Sequence, residues 1–225
     1  MKNALGDTNY LLLMKWVVVN VFGVVVVWVI WQTGWIMKIL DNDTVYMVRI
    51  ILALFFLAHA ECTFRIWKTS RELNIVNAYI KYQGLDNETY RIESGNSRLA
   101  IYLRSLVGCD ASSRHVLADD FRENMLHKIS SVGYNLPRLT TLGLIGTFIG
   151  IIIALEGFDV SVLSDPSKII DLFKNIPPGL RIAFHASLVG MCAYVWLDYL
   201  FQILQGGTQQ LVSAIIKAGV YREQI

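Results

Sequence analysis

An apolar stretch of membrane-spanning length, residues 137–158 (PRLTTLGLIGTFIGIIIALEGF), constrains this chain most strongly. A bilayer is crossed by about 20 apolar residues in a helix. Small and hydroxyl side chains recur along one broad face of this stretch at helical spacing: Thr140, Gly143, Gly146, Thr147 and Gly150. Small residues in a membrane let helix backbones approach closely, and a hydroxyl there can serve a neighbouring group or water.

A second stretch of spanning length, residues 180–204, reads LRIAFHASLVGMCAYVWLDYLFQIL. Ser187 and Gly190 lie one turn apart on it. GLIGTFIG followed by AFHASLVG resembles the paired pore-helix motifs of the MotA/TolQ/ExbB proton-channel family. That pattern is a GLxGTxxG helix, a short outer loop, and a helix with A-[TS]-x-x-G. Thr147 matches the family's hydroxyl on the first pore helix, and Ser187 stands where the second helix carries Thr.

The resemblance implies the channel-wall (A-type) subunit of a stator complex driven by an ion-motive force. Such a subunit forms a homopentamer in the lipid bilayer around two copies of a single-span B-type subunit, whose intramembrane Asp carries the ion. Ion flow is converted into mechanical motion. The sequences of the two helices also resemble the membrane core of ZorA proteins from anti-phage systems. Those proteins usually continue into a long cytoplasmic tail. On that reading the chain is a tail-less relative or a truncated form.

Composition agrees with a membrane protein. The 225 residues are 54% hydrophobic, and the excess lies in long runs, whereas soluble domains are nearer 45–50% apolar. A net charge of +2 gives no nucleic-acid surface. The three cysteines form no CxxC pair, so no zinc site or disulfide framework is expected. Because the sequence contains no P-loop, GxSxG, HExxH or dinucleotide motif, neither an enzyme nor a cofactor is expected.

The predicted fold is all-α: a polytopic transmembrane helical protein with four spans and a cytoplasmic helical insertion. The first two spans are predicted at 11–36 and 45–66. Asn20 in the first is expected to bond to a neighbouring helix. Glu61 and Arg65 in the second are four residues apart and are expected to pair. The expected division is 1–64 for two spans, 65–138 for the insertion, and 139–225 for the pore helices and a short tail.

The insertion holds eleven Lys and Arg residues against eight acids. The positive-inside rule therefore places it, and both termini, in the cytoplasm. The family resemblance implies that the membrane is the inner membrane of a bacterium. The last helix of the insertion is predicted over 113–134, with a break at Pro137. An apolar stripe on that helix is expected to be buried: Val116, Leu117, Phe121, Met125, Leu126 and Ile129. The region 159–179 lacks a basic excess and is expected to be the outer loop.

Thr147 and Ser187 are the candidate ion-pathway residues. Conduction needs polar groups inside a dry path, and a hydroxyl both donates and accepts. The alternative is that these hydroxyls only pack, or bond to a carbonyl one turn earlier. Gly143, Gly146, Gly150 and Gly190 are expected to pack the pore helices.

No ionisable residue lies between Leu139 and Leu155, so the proton carrier is expected from the partner subunit. Asp198, on nearly the same face as Ser187, is either an accessory proton site or an interfacial charge. His185 is either a hydrogen-bonding residue near the outer interface or a relay. A non-conducting membrane scaffold remains the competing function. A neighbouring gene for a single-span protein with an intramembrane Asp would favour the channel. The ion is expected to be H⁺, because a Na⁺ site requires several oxygen ligands and few polar groups beyond Thr147 and Ser187 line the proposed path.

Overall fold

The fold is described by a computed structural model for residues 9–41, 43, 45–81, 97–106, 110–156 and 166–222. Across these ranges the chain forms six α-helices and no strand: α1 (Asn9–Gln32), α2 (Trp35–Asp41), α3 (Met47–Lys81), α4 (Arg98–Leu106), α5 (Ala111–Leu155) and α6 (Pro166–Arg222). Four of them, α1, α3, α5 and α6, are long and apolar enough to cross a membrane by length and composition. The predicted all-α class and the four spans are confirmed.

α1 is helical despite a run of β-branched valines that would favour a strand in water. A lone strand in lipid would leave its backbone groups unpaired, whereas a helix pairs them internally. The side-chain amide of Asn20 is also satisfied within α1, since it donates to the Trp16 carbonyl oxygen at 2.9 Å, one turn earlier. The expected bond to a neighbouring helix is therefore wrong within this chain.

α5 runs unbroken through Pro137 for 45 residues, so the predicted break there is wrong. A proline inside a helix removes one N–H and its ring crowds the carbonyl four residues earlier. That earlier residue is Gly133, which has no side chain to resist a local backbone adjustment. The long helix thereby connects the predicted insertion to the third span without a turn.

α6 begins at Pro166, inside the region expected to be an outer loop, and ends at Arg222. The expected loop is correspondingly shorter. The sequence also contains turn signals at 84–87 (GLDN) and 93–97 (ESGNS), and all of these residues except Ser97 lie outside the described part of the chain. Helix α4 follows them and is amphipathic, with Leu99, Ala100, Tyr102 and Leu103 buried.

Two compact units divide the chain. The first comprises Met1–Val21, Glu61–Val132 and Leu200–Ile225, and the second comprises Phe22–Ala60 and Gly133–Tyr199. The core of the first unit is built from α3, α4, α5 and α6: Leu73, Val76, Tyr79, Leu99, Tyr102, Leu103, Met125, Leu211, Val212, Ala214, Ile215 and Ala218.

The apolar stripe on α5 enters this core for most of its length. Met125 and Ile129 are buried, and the rings of Phe121 and Tyr102 lie 4.8 Å apart. Val116 is 69% exposed, so its predicted burial is wrong. It precedes Leu117 by one residue, and a step of about 100° turns it away from the face that Leu117 and Phe121 share.

Two ion pairs lie in the first unit, one within α3 and one between α3 and α4. Arg65 contacts Glu61 at 2.8 Å, which confirms the pair predicted from their spacing. The same guanidinium donates to the Lys128 carbonyl oxygen at 2.6 Å and to the Ser131 hydroxyl at 3.2 Å, and so joins α3 to α5. Arg98 on α4 contacts Glu72 on α3 at 3.1 Å.

Candidate functional site

In the second unit, α5 and α6 pack against each other in opposite directions with almost no side chain between their backbones. A Cβ placed on Gly190 would lie 3.0 Å from the Cα of Gly143. A Cβ placed on Gly146 would lie 2.5 Å from the Cβ of Ala186. The first distance is tighter than most Cβ contacts and the second is shorter than real Cβ atoms show, so a side chain on Gly190 of α6 or on Gly146 of α5 would push the helices apart.

The same packing continues toward the C-terminal end of α5. A Cβ on Gly150 would lie 2.5 Å from the backbone nitrogen of Ala183, and one on Gly179 would overlap the backbone of Ala154. We call this contact the α5–α6 seam: Gly143, Gly146, Gly150 and Ala154 against Gly190, Ala186, Ala183 and Gly179. Its spacings of three and four residues keep every member on one helix face. Close van der Waals contact of this kind is what drives helix association in lipid.

Half of the seam was not among the predicted packing residues. Ala154, Gly179, Ala183 and Ala186 complete the contact, although only glycines were singled out from the sequence. A signal was present, because small residues recur on α6 at spacings of four, three and four. The four predicted glycines, Gly143, Gly146, Gly150 and Gly190, all lie in the seam.

Thr147 borders the seam and is half-buried. Its hydroxyl lies 3.0 Å from the Gly143 carbonyl oxygen in its own helix and 3.5 Å from the Ala183 carbonyl oxygen in α6. The shorter distance is the back-bond to the preceding turn. A hydroxyl that donates in this way keeps its two lone pairs. The oxygen of Thr147 therefore still accepts a hydrogen bond from an incoming group.

Ser187 is also half-buried and borders the seam from α6. Its Cα lies 3.4 Å from the position of a Cβ on Gly143. Thr147 follows the seam residue Gly146 by one position, as Ser187 follows Ala186. One position is a turn of about 100° in the same sense on each helix, viewed from its own N-terminus. Because the two helices face each other and run in opposite directions, both hydroxyls turn to the same side. We call this side the hydroxyl flank.

The opposite side of the seam is covered by the chain's own helices. The position of a Cβ on Gly146 lies 3.7 Å from the Cβ of Met47 at the start of α3. On α6, the ring of Trp196 packs directly against Gly23 of α1. By helical position Trp196 lies on the side of the seam away from Ser187. We call this side the covered flank.

The two accessory candidates lie on different flanks. Asp198 follows Ser187 by eleven residues, three helical turns, and so shares the hydroxyl flank. It is half-buried. His185 precedes Ser187 by two residues and lies on the covered flank, where its Nδ1 is buried. The structure thus places Asp198 with Thr147 and Ser187, and separates His185 from them.

The outward faces of the two helices carry large apolar side chains. Leu144, Phe148 and Ile152 are exposed on α5, and Phe184, Leu188 and Met191 on α6. The hydroxyls of Thr147 and Ser187 are therefore isolated polar groups on an apolar surface. Among the described residues, no cluster of three His, Cys, Asp or Glu side chains has the arrangement of a metal site.

Comparison of the chain with protein-family models, with curated proteins and with solved structures gives no match. The resemblance to the MotA/TolQ/ExbB family therefore rests on the two motifs and their order in the chain.

Proposed function

We propose that this chain is the channel-wall subunit of a stator complex driven by an ion-motive force. It conducts protons together with a single-span B-type subunit and converts that flow into mechanical motion. The observation that carries the proposal is the hydroxyl flank. Thr147 and Ser187 turn to the same side of a tightly packed helix pair. Thr147 is the residue that the family motif puts there, and Ser187 is a conservative departure from the motif's Thr.

The physical basis of the proposal is the free-energy cost of moving a proton through lipid. A path needs polar groups that accept and pass on a hydrogen bond within an otherwise apolar wall. Thr147 and Ser187 supply such groups, and the seam behind them is too tight to shift easily. Because no residue between Leu139 and Leu155 titrates, the group that binds the proton comes from the partner's intramembrane Asp. Asp198, on the same flank, provides an acceptor toward the end of the path.

The proposed assembly is a homopentamer whose hydroxyl flanks face two central B-type helices. The covered flank carries α1 and α3 on the other side of the seam. α1 suits contact with lipid, because its apolar side chains are almost all exposed, among them Val18, Phe22, Val24 and Trp28. The chain lies in a bacterial inner membrane with residues 65–138 and both termini in the cytoplasm.

The energy available is set by the membrane potential. One elementary charge crossing 100 mV releases about 2.3 kcal/mol. In the proposed complex this energy turns the ring about the two central helices. The process that the motion serves depends on what the cytoplasmic and outer parts of the complex bind.

The test is proton flux with and without the partner. The chain is purified with the single-span protein encoded beside it, its subunits are counted by mass, and the complex is placed in vesicles containing a pH-sensitive dye. We expect five copies of this chain to two of the partner, and acidification only when both proteins are present. A partner with its intramembrane Asp changed to Asn serves as the control. A stable complex that passes no protons at any imposed potential would support the scaffold and contradict the channel.

A further inference from the structure

The exposed face of α3 carries two aromatic rings, each followed four residues later by a base. Phe64 is 61% exposed and Trp67 is 54% exposed, and their ring centres lie 6.3 Å apart. Lys68 follows Phe64, Arg71 follows Trp67, and both bases are exposed. Steps of three and four residues keep all four side chains within about 100° of the helix circumference. We call these four side chains the α3 patch.

The α3 patch lies at the depth where a spanning helix meets the polar head groups. Trp67 follows Met47, the first residue of α3, by 20 residues, which at about 1.5 Å per residue is about 30 Å along the helix. The hydrocarbon core of a bilayer has about that thickness, and the polar region of each leaflet adds about 5–8 Å. Aromatic side chains are favoured at the boundary between the two. Each base lies about 6 Å beyond its ring, and therefore among the head groups.

The positive charge of the α3 patch is not compensated by the acids of its own helix. The two acids of α3 are each paired with an arginine outside the patch: Glu61 with Arg65 at 2.8 Å, and Glu72 with Arg98 at 3.1 Å. Within the described part of the chain, neither base of the patch forms an ion pair. Two positive charges one turn apart are therefore left facing outward, and they are complementary to an anion held at the membrane surface.

We propose that the α3 patch binds the head group of an anionic phospholipid. The rings of Phe64 and Trp67 contact the upper part of the acyl chains, and Lys68 and Arg71 donate to the phosphate. The guanidinium of Arg71 suits this role, because it can donate two parallel N–H bonds to two phosphate oxygens. An anionic lipid is favoured over a zwitterionic one, because the cation of a zwitterionic head group offsets the attraction of the two bases.

This site rests on the membrane-spanning character of α3 and not on ion conduction. A complex that passes no protons would still bind the lipid, and loss of the lipid would leave the hydroxyl flank in place. Failure of the lipid site and failure of the channel are therefore separate outcomes.

The test is native mass spectrometry of the purified full chain in nonionic detergent, titrated with phosphatidylglycerol or with phosphatidylcholine of the same acyl chains. We expect phosphatidylglycerol to bind at lower concentration. Lys68→Gln with Arg71→Gln should weaken its binding about 25-fold, since each base contributes about fivefold, and should leave phosphatidylcholine binding unchanged. Arg122→Gln with Lys217→Gln is the matched control, because it removes two exposed bases from α5 and α6. That control should bind phosphatidylglycerol like the parent.

A ring variant separates the apolar contact from the charge. Trp67→Ala should weaken the binding of both lipids by a similar factor, because they share the acyl chains that the ring contacts. Circular dichroism checks that each variant keeps its helical content. If the double base variant does not fold, Arg71→Gln alone decides, with an expected loss of about fivefold.

Three results would overturn the lipid site. The first is a parent chain that binds the two lipids equally. The second is a folded base variant that binds phosphatidylglycerol like the parent. The third is a parent that takes up no phosphatidylglycerol but forms an oligomer that the base variant loses, because a second copy of the chain would then cover the α3 patch.

Discussion

Gly150 and Ala183 pack so closely that a Cβ atom on Gly150 would lie 2.5 Å from the backbone nitrogen of Ala183. The obstacle is main chain, which cannot rotate out of the way as a side chain can. The α5–α6 seam is therefore a contact between backbones, and its geometry fixes where Thr147 and Ser187 stand.

Gly150→Ala is expected to destabilise the protein by about 1–3 kcal/mol, because an added methyl in a packed interface forces the helices apart. Gly206→Ala is the matched control, since Gly206 also lies inside a long helix, α6, but nothing lies within 4 Å of its Cβ position. That control should be neutral or stabilising by up to about 1 kcal/mol. Unfolding in detergent, followed by circular dichroism, measures both. Equal stability of the two variants would show that the seam is looser than described.

Arg65 is expected to matter more than its ion-pair partner. Glu61→Gln removes a partly exposed charge pair, which is typically worth less than 1 kcal/mol. Arg65→Ala also removes the hydrogen bonds to the Lys128 carbonyl and the Ser131 hydroxyl, so its cost should be larger by about 1–2 kcal/mol. The same unfolding measurement compares them. If Glu61→Gln costs as much as Arg65→Ala, the α3–α5 bonds contribute little.

The basic residues of 65–138 predict how the chain is oriented in the membrane. A reporter fused at Gly84 should read as cytoplasmic, and one fused at Asp165 should read as periplasmic. Alkaline phosphatase and green fluorescent protein fusions at both positions make the measurement. The opposite reading at either position would overturn the four-span orientation.

The sequence predicted the helices and their local pairs well, because these depend on short spacings. The four membrane-length helices follow from apolar run length, and the Glu61–Arg65 pair follows from a separation of one turn. The break at Pro137 was wrong because the effect of a proline depends on the residue four positions earlier, here Gly133. The burial of Val116 was predicted wrongly because consecutive residues on a helix point in directions that differ by a large angle around the helix axis.

Only part of the candidate site could be predicted from the sequence. Thr147, Ser187 and the glycines carry a motif, so the sequence singles them out. Which alanines meet which glycines depends on the register between α5 and α6, and a single sequence contains no direct record of that register.

The most direct test of the account is proton flux after removal of the two hydroxyls. Thr147→Val with Ser187→Ala keeps the seam intact, and the loss of a membrane hydrogen bond costs only about 0.6 kcal/mol on average, so assembly should survive. Thr141→Val is the matched control, because the exposed Thr141 makes the same back-bond, to Pro137 at 3.0 Å. Ser187→Thr should conduct normally, since the motif that the chain resembles usually has Thr at that position.

Flux is measured in vesicles that contain the chain together with the proposed B-type partner. We predict that the double variant assembles normally and conducts about tenfold more slowly, equivalent to about 1.4 kcal/mol on the barrier, while Thr141→Val conducts like the parent. A double variant that assembles and conducts at the parental rate would contradict the account, because Thr147 and Ser187 would then be packing residues and the hydroxyl flank would not be the path.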